Sequence, residues 1–232
     1  MSMAQDDRAA ILGRIREALR TPAPLRHPAE RSAGGEPTTA HFREWLPPVG
    51  VSAEERLALF TKLSESLKSE LILCHSIEQA GEYLCGLAKE LGWKSIGIHR
   101  GDLLTPLERF IPENLKLIRV DNGYDKDALE AADAAVSECE LLVAQTGSVC
   151  VTGPSSGGRV LSVLPPHHLV IARKSQIVTD LSEAFASLTA KYRGSYPSMI
   201  SFITGPSRTG DIERILVLGA HGPKRLTILM LP

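Results

Sequence analysis

Two stretches of the chain concentrate residues able to do chemistry. In the first, residues 201–223, an apolar run ends at Gly205-Pro206 and is followed by Ser207-Arg208-Thr209-Gly210-Asp211. The pattern reads as a strand at 199–203, a tight turn, and a helix capped by Ser207, with Asp211 and Glu213 early in it, where a helix dipole favours negative charge. Free backbone N–H groups, the Ser207 and Thr209 hydroxyls and the Arg208 guanidinium fork would together cradle a carboxylate or phosphate. The plainer reading is that Ser207 only caps and Arg208 only pairs with Asp211 or Glu213. His221, between Ala220 and Gly222-Pro223, adds a group that titrates near neutrality.

The second stretch runs from Gln145 to His168. Thr146 and Ser148 supply hydroxyls around Gly147, which lets backbone approach a ligand. Arg159 emerges from the loop Gly153-Pro154-Ser155-Ser156-Gly157-Gly158 and is placed to clamp an anion. His167 and His168 follow Pro165-Pro166 as acid–base candidates. Here too plain alternatives exist, since a Gly-Gly-Arg loop is commonly a hairpin connection and a histidine after Pro-Pro commonly fixes a turn. Ligand binding is therefore expected at Thr146, Gly147, Ser148, Arg159, Ser207, Arg208 and Thr209, and acid–base work at His168 or His221.

The elements that must position these residues alternate. Ser52 with Glu55, and Ser76 with Gln79, are capping signatures ahead of helices at about 53–67 and 77–91. Strands are read at 71–74, 94–99, 115–120, 141–152 (interrupted at 146–148), 169–172 and 199–203. A short helix is read at 103–110 and an alanine-rich helix at 127–139. Such alternation implies parallel strands joined by right-handed crossovers, with helices on both faces of the sheet. Residues 1–50 stand apart, as a short helix with an apolar stripe (Ile11, Leu12, Ile15, Leu19) and an arm rich in proline and glycine. Residues 51–232 form the α/β domain. An arm that swaps onto a neighbouring copy would give a homo-oligomer.

With 43% hydrophobic and 23% charged residues and a net charge of −1, the composition is that of an ordinary globular chain with no broad attraction to nucleic acid or anionic membrane. No apolar run nears the roughly 20 residues of a membrane span, and no secretory signal is read at the start, so a cytoplasmic location is expected. Cys74, Cys85, Cys139 and Cys150 form no zinc or iron–sulfur spacing. Neither a dinucleotide fingerprint nor a P-loop is present. No cofactor is expected in this chain.

Taken together, Gln145 to Ser148, Gly158 to His168, Gly205 to Glu213 and Leu218 to Pro223 resemble, in order and spacing, the LUD-domain family. The resemblance is strongest from about residue 70 onward. It implies a three-layer α/β/α fold with a mostly parallel sheet, like that of the sugar-phosphate isomerase, glucosamine-phosphate deaminase and CoA-transferase group. It also implies a place in a three-protein system that oxidises L-lactate to pyruvate, in which partner proteins carry the iron–sulfur clusters and this chain is a non-redox subunit. The alternative is a stand-alone enzyme acting on a phosphorylated or CoA-linked small molecule. The family commonly has Glu-Thr-Gly where this chain has Gln145-Thr146-Gly147, and a neutral amide is neither a general base nor a carboxylate nucleophile.

Overall fold

A computed structural model describes residues 3–20, 47–210, 216–218 and 222–232. The chain divides into two compact units, Met1–Trp45 and Leu46–Pro232. In the first, helix α1 (Met3–Arg20) leaves Ile11, Leu12 and Ile15 exposed on its surface. The Leu19 side chain and the proline-rich arm as far as residue 46 lie outside the described residues.

The second unit opens with α2 (Ala53–Ser66). Ser52 Oγ accepts the Glu55 N–H at 3.1 Å and Glu55 Oε2 accepts the Ser52 N–H at 3.0 Å, so the expected capping box is formed. These bonds favour the ionised carboxylate and hold Glu55 below the usual carboxylate range. After β1 (Glu70–Leu73), Ser76 caps α3 (Ile77–Glu90) through the Gln79 N–H, while Gln79 Oε1 takes the N–H of His75. The chain continues through β2 (Ser95–Ile98), α4 (Leu104–Leu107) with a 3-10 turn, and β3 (Lys116–Arg119).

Here the sequence misleads. In place of one alanine-rich helix the chain forms a short α5 (Lys126–Glu130) and then β4 (Ala134–Glu138). The Asp133 carboxylate accepts the N–H groups of Lys94 and Ser95, fastening the start of β4 beside β2. From there Ala134, Ala135, Val136 and Ser137 are buried inside the sheet. Small side chains suit a strand enclosed on both faces, and that burial overrides the helix propensity of alanine.

The remaining elements are β5 (Leu141–Val143), β6 (Ser148–Thr152), β7 (His167–Arg173), β8 (Ile177–Val178), α6 (Leu181–Tyr192), β9 (Ile200–Ile203), β10 (Arg208–Gly210), β11 (Leu216–Leu218) and β12 (Arg225–Leu231). The central sheet has order β1-β12-β7-β4-β2-β3, parallel throughout. Leu84 and Leu87 of α3 pack on one face against Ile96, Leu169 and Leu229. The other face is covered by Phe60 of α2 and by a smaller mixed sheet of order β8-β5-β6-β9, through Leu142, Val149, Val170 and Ile228. A sheet thus stands where helices alone were expected, with α6 packed on its far side through Ala184 and Leu188. The architecture is a three-layer α/β fold. Among the described residues no helix is long and apolar enough to cross a membrane.

The helix expected after Ser207 is a second departure. Arg208–Gly210 pairs antiparallel with Leu216–Leu218 as a hairpin. Extended backbone has no aligned dipole, so the helix-terminus part of the proposed anion cradle does not exist.

Candidate functional site

All six central strands point the same way, so one sheet edge collects their carboxyl ends. From β2 the chain passes through α4 to β3 on one side; β4 lies on the other side of β2. Ligands of open α/β sheets bind at such a reversal. Here His99, 2% exposed, ties the two strands: its Nδ1–H donates to the Arg100 carbonyl at 2.7 Å, and its Nε2 accepts the Glu138 N–H at 3.4 Å. Asp121 Oδ1 accepts the Arg100 N–H at 2.8 Å. Glu138, ending β4, turns Oε1 to the N–H groups of Leu103 and Leu104 at 2.7 and 3.1 Å and so caps α4. Gly101 packs so closely on that carboxylate that a side chain there would collide with it.

Beside this clasp lies a cavity of about 330 Å³ lined by His75, Ser76, Asp102, Leu103, Arg173 and Leu231, among others. Register explains the grouping. Leu231 pairs with Arg173, and Ile171, two residues earlier on β7, pairs with Glu138. Side chains two apart on a strand share a face, so Arg173 and Leu231 project over the α3 side of the sheet. Arg173 is exposed, and among the described residues no carboxylate pairs with its guanidinium. The arrangement offers a bidentate fork for a carboxylate, an apolar wall from Leu103 and Leu231, and His75 and Asp102 as polar neighbours.

Residues singled out by sequence fall elsewhere. Thr146 Oγ1 meets Ser148 Oγ at 2.7 Å, and Ser148 Oγ meets Thr204 Oγ1 at 2.8 Å. Gly147 adopts φ +64° with Leu63 of α2 and Leu67, at the C-cap of that helix, against it. Ser207 donates its backbone N–H to the Pro223 carbonyl at 2.9 Å. This group therefore lies on the opposite edge, where β1 and β12 begin. The Gln145 amide donates to the Pro47 carbonyl at 3.0 Å. Arg159 is exposed and donates to the Ser198 carbonyl at 2.8 Å, at the far end of β6 and β9. Roughly four strand residues, about 14 Å, separate it from Ser148. The Arg208 and Thr209 side chains and all of His221 lie outside the described residues.

His167 and His168 are buried in the sheet, facing opposite sides of β7. His168 Nε2 lies 2.8 Å from Ser137 Oγ, and His167 Nε2 lies 2.8 Å from Thr227 Oγ1. Burial disfavours the imidazolium and pushes them down to about 3 and about 4, respectively. Both are neutral at pH 7 and enclosed. Sequence reasoning passes over Arg173, Asp102, His75 and Glu138, although three share a visible signal: each is an early polar residue after an apolar strand-like run.

All four cysteines are free, and among the described residues no three or more of His, Cys, Asp and Glu converge as metal ligands. A family model described as LUD domain matches residues 57–231. Lactate utilization protein C of Deinococcus radiodurans is 27% identical over 188 residues, covering 81% of this chain and 86% of that one. The uncharacterized protein YkgG of Escherichia coli is 30% identical over 233 residues, covering 97% and 98%. Lactate utilization protein C of Shouchella clausii is 31% identical over 180 residues, covering 75% of each. The crystal structure of a DUF162 family protein from Deinococcus radiodurans shares the fold, with a TM-score of 0.60 at 21% identity over 79% of this chain and all of that one.

Proposed function

Because the chain belongs to the LUD-domain family, we propose that it serves lactate utilization as a non-redox subunit of an iron–sulfur system that oxidises L-lactate to pyruvate. In this reading it holds the small carboxylate at the carboxyl-edge cavity and docks against iron–sulfur partner proteins. The observation that carries the carboxylate assignment is the unpaired Arg173 fork beside the Leu103 and Leu231 wall. A guanidinium orients the carboxylate, and an apolar wall accepts a methyl group.

Converting a 2-hydroxy acid to a 2-oxo acid removes two electrons and two protons. The electrons need an acceptor. Burial pushes the Cys139 thiol up and takes Cys150 up to about 12, which disfavours the thiolates that bind iron. The partners are therefore assigned the electron transfer, and this chain the binding and orientation.

The test is lactate-dependent reduction of an electron acceptor by the reconstituted three-protein system. The rate is expected to collapse when this chain is omitted. An undiminished rate without it would overturn the proposal. Turnover of a phosphorylated or CoA-linked substrate by this chain alone would favour the stand-alone enzyme instead.

A further inference from the structure

The opposite edge of the central sheet holds a polar cluster that lactate binding does not use. Glu70, at the start of β1, receives two hydroxyl bonds at 2.9 Å, from Tyr83 on Oε1 and from Thr227 on Oε2. Thr227 is fully buried, and its one proton is committed to Glu70, so its oxygen accepts from His167 Nε2–H at 2.8 Å. Trp93 meets the His167 ring edge-on, with centroids 5.3 Å apart. Tyr83, pushed up to about 12 by burial and by Glu70, stays a donor at neutral pH. The Glu70 carboxylate is thereby fixed in place and still has acceptor capacity on both oxygens.

That carboxylate lines a cavity of about 470 Å³ together with Glu65, Lys68, Ser69, Arg225 and Thr227. Ser69 is 5% exposed, and its hydroxyl has no hydrogen-bond partner. A buried hydroxyl without a partner is costly unless something else satisfies it. Arg225 Nη2 stands 3.8 Å from Glu70 Oε2, within Coulombic reach but beyond a hydrogen bond, so its donors remain available. Among the described residues Lys68 has no ion pair.

We propose that this amino-edge cavity binds a small zwitterion of the α-amino acid class, its carboxylate on Arg225 and Lys68 and its ammonium on Glu70. The charge count selects the class. A simple anion would face the Glu65 and Glu70 carboxylates, and a simple amine would face two cations. An α-amino acid carries both charges on groups attached to one carbon. Laid beside the Arg225–Glu70 pair in reverse order, it meets each group with its opposite. Ser69 then gains a partner in the ligand carboxylate.

Titration calorimetry on the full chain at pH 7 tests this, with L-alanine, L-glutamate and L-lysine as probes and acetate, L-lactate and ethylamine as controls. At least one amino acid is expected to bind, with the controls failing to compete. Arg225→Gln and Glu70→Gln should each weaken that binding roughly tenfold or more, the cost of one lost charge-assisted contact. Arg225 is half-exposed, so its variant is expected to keep the wild-type melting temperature even if Glu70→Gln disturbs the fold. Absence of amino-acid binding, or equal competition by L-lactate, would overturn the zwitterion assignment. Arg173→Ala should leave this binding unchanged, which separates its fate from that of the lactate reading.

Discussion

His168 Nε2 and Ser137 Oγ meet at 2.8 Å between β7 and β4, with both residues closed to solvent. Ser137 donates to the Glu138 carbonyl at 3.0 Å, so its oxygen accepts from His168 Nε2–H and leaves Nδ1 without a partner. A proton added there would be a buried charge with no acceptor. Between the ordinary histidine range and about pH 3, the unfolded chain therefore binds more protons than the folded one. Stability should fall as pH drops through that window, by up to about 1.4 kcal/mol per pH unit for this group. His167 adds the same slope down to about pH 4. Urea midpoints at pH 7.5 and 5 read the effect. Equal midpoints would mean that the two rings are not buried neutral.

At pH 7 the same pair gives a second expectation. Ser137→Ala strands the Nε2–H in the core, and should cost about 1–3 kcal/mol in chemical denaturation. A loss under about 0.5 kcal/mol would place that ring in contact with water.

Glu138 offers two different lesions. Glu138→Ala removes a charge-assisted cap from α4 and is expected to cost about 1–3 kcal/mol. Glu138→Gln keeps an acceptor oxygen and should recover part of that loss. Thermal melts of both variants separate the cap from mere packing, for which the near-isosteric Glu138→Gln would match the wild type.

Arg173→Ala should leave the melting temperature unchanged, because the side chain is exposed and has no partner to lose. Lactate-dependent acceptor reduction by the assembled system should fall roughly tenfold or more, chiefly through KM, with Arg173→Lys intermediate. An unchanged KM in Arg173→Ala would remove the carboxylate from this cavity.

Glycines 153 and 157 contrast within one loop. Gly157 has φ +62°, and a Cβ there would come within 2.5 Å of the His99 Cβ, whereas Gly153 faces open space. Gly157→Ala should cost about 2 kcal/mol or more, and Gly153→Ala little, in the same denaturation assay.

Caps were the most legible features, because a capping box is a local exchange of bonds that four residues settle among themselves. The strands β1, β2, β3, β5, β6, β7 and β9 were also readable from apolar runs, whereas β8 and β12 were not read. Residues 127–139 were not, since alanine is a helix former alone and a close-packing strand residue when neighbours cover both faces. The hairpin at Arg208–Gly210 was not legible for the same reason: a partner strand six to ten residues away decides it. His167 and His168 look like a pair in sequence, yet a pleated strand sends adjacent side chains to opposite faces. Arg159 and Ser148 are close in sequence, but β6 holds them apart. Arg173 closes the apolar run of β7, and only its place beside Leu231 and Leu103 marks it.

β12 lies between β1 and β7, pairing with both along its length. It is synthesised after every other strand of that sheet, and more than 150 residues separate it from the neighbour it pairs with at Glu70. The sheet must therefore wait with a gap between β1 and β7, exposing the flanks of both until β12 threads between them. Non-local closure of this kind is slow, and it makes the waiting chain a natural client for chaperones.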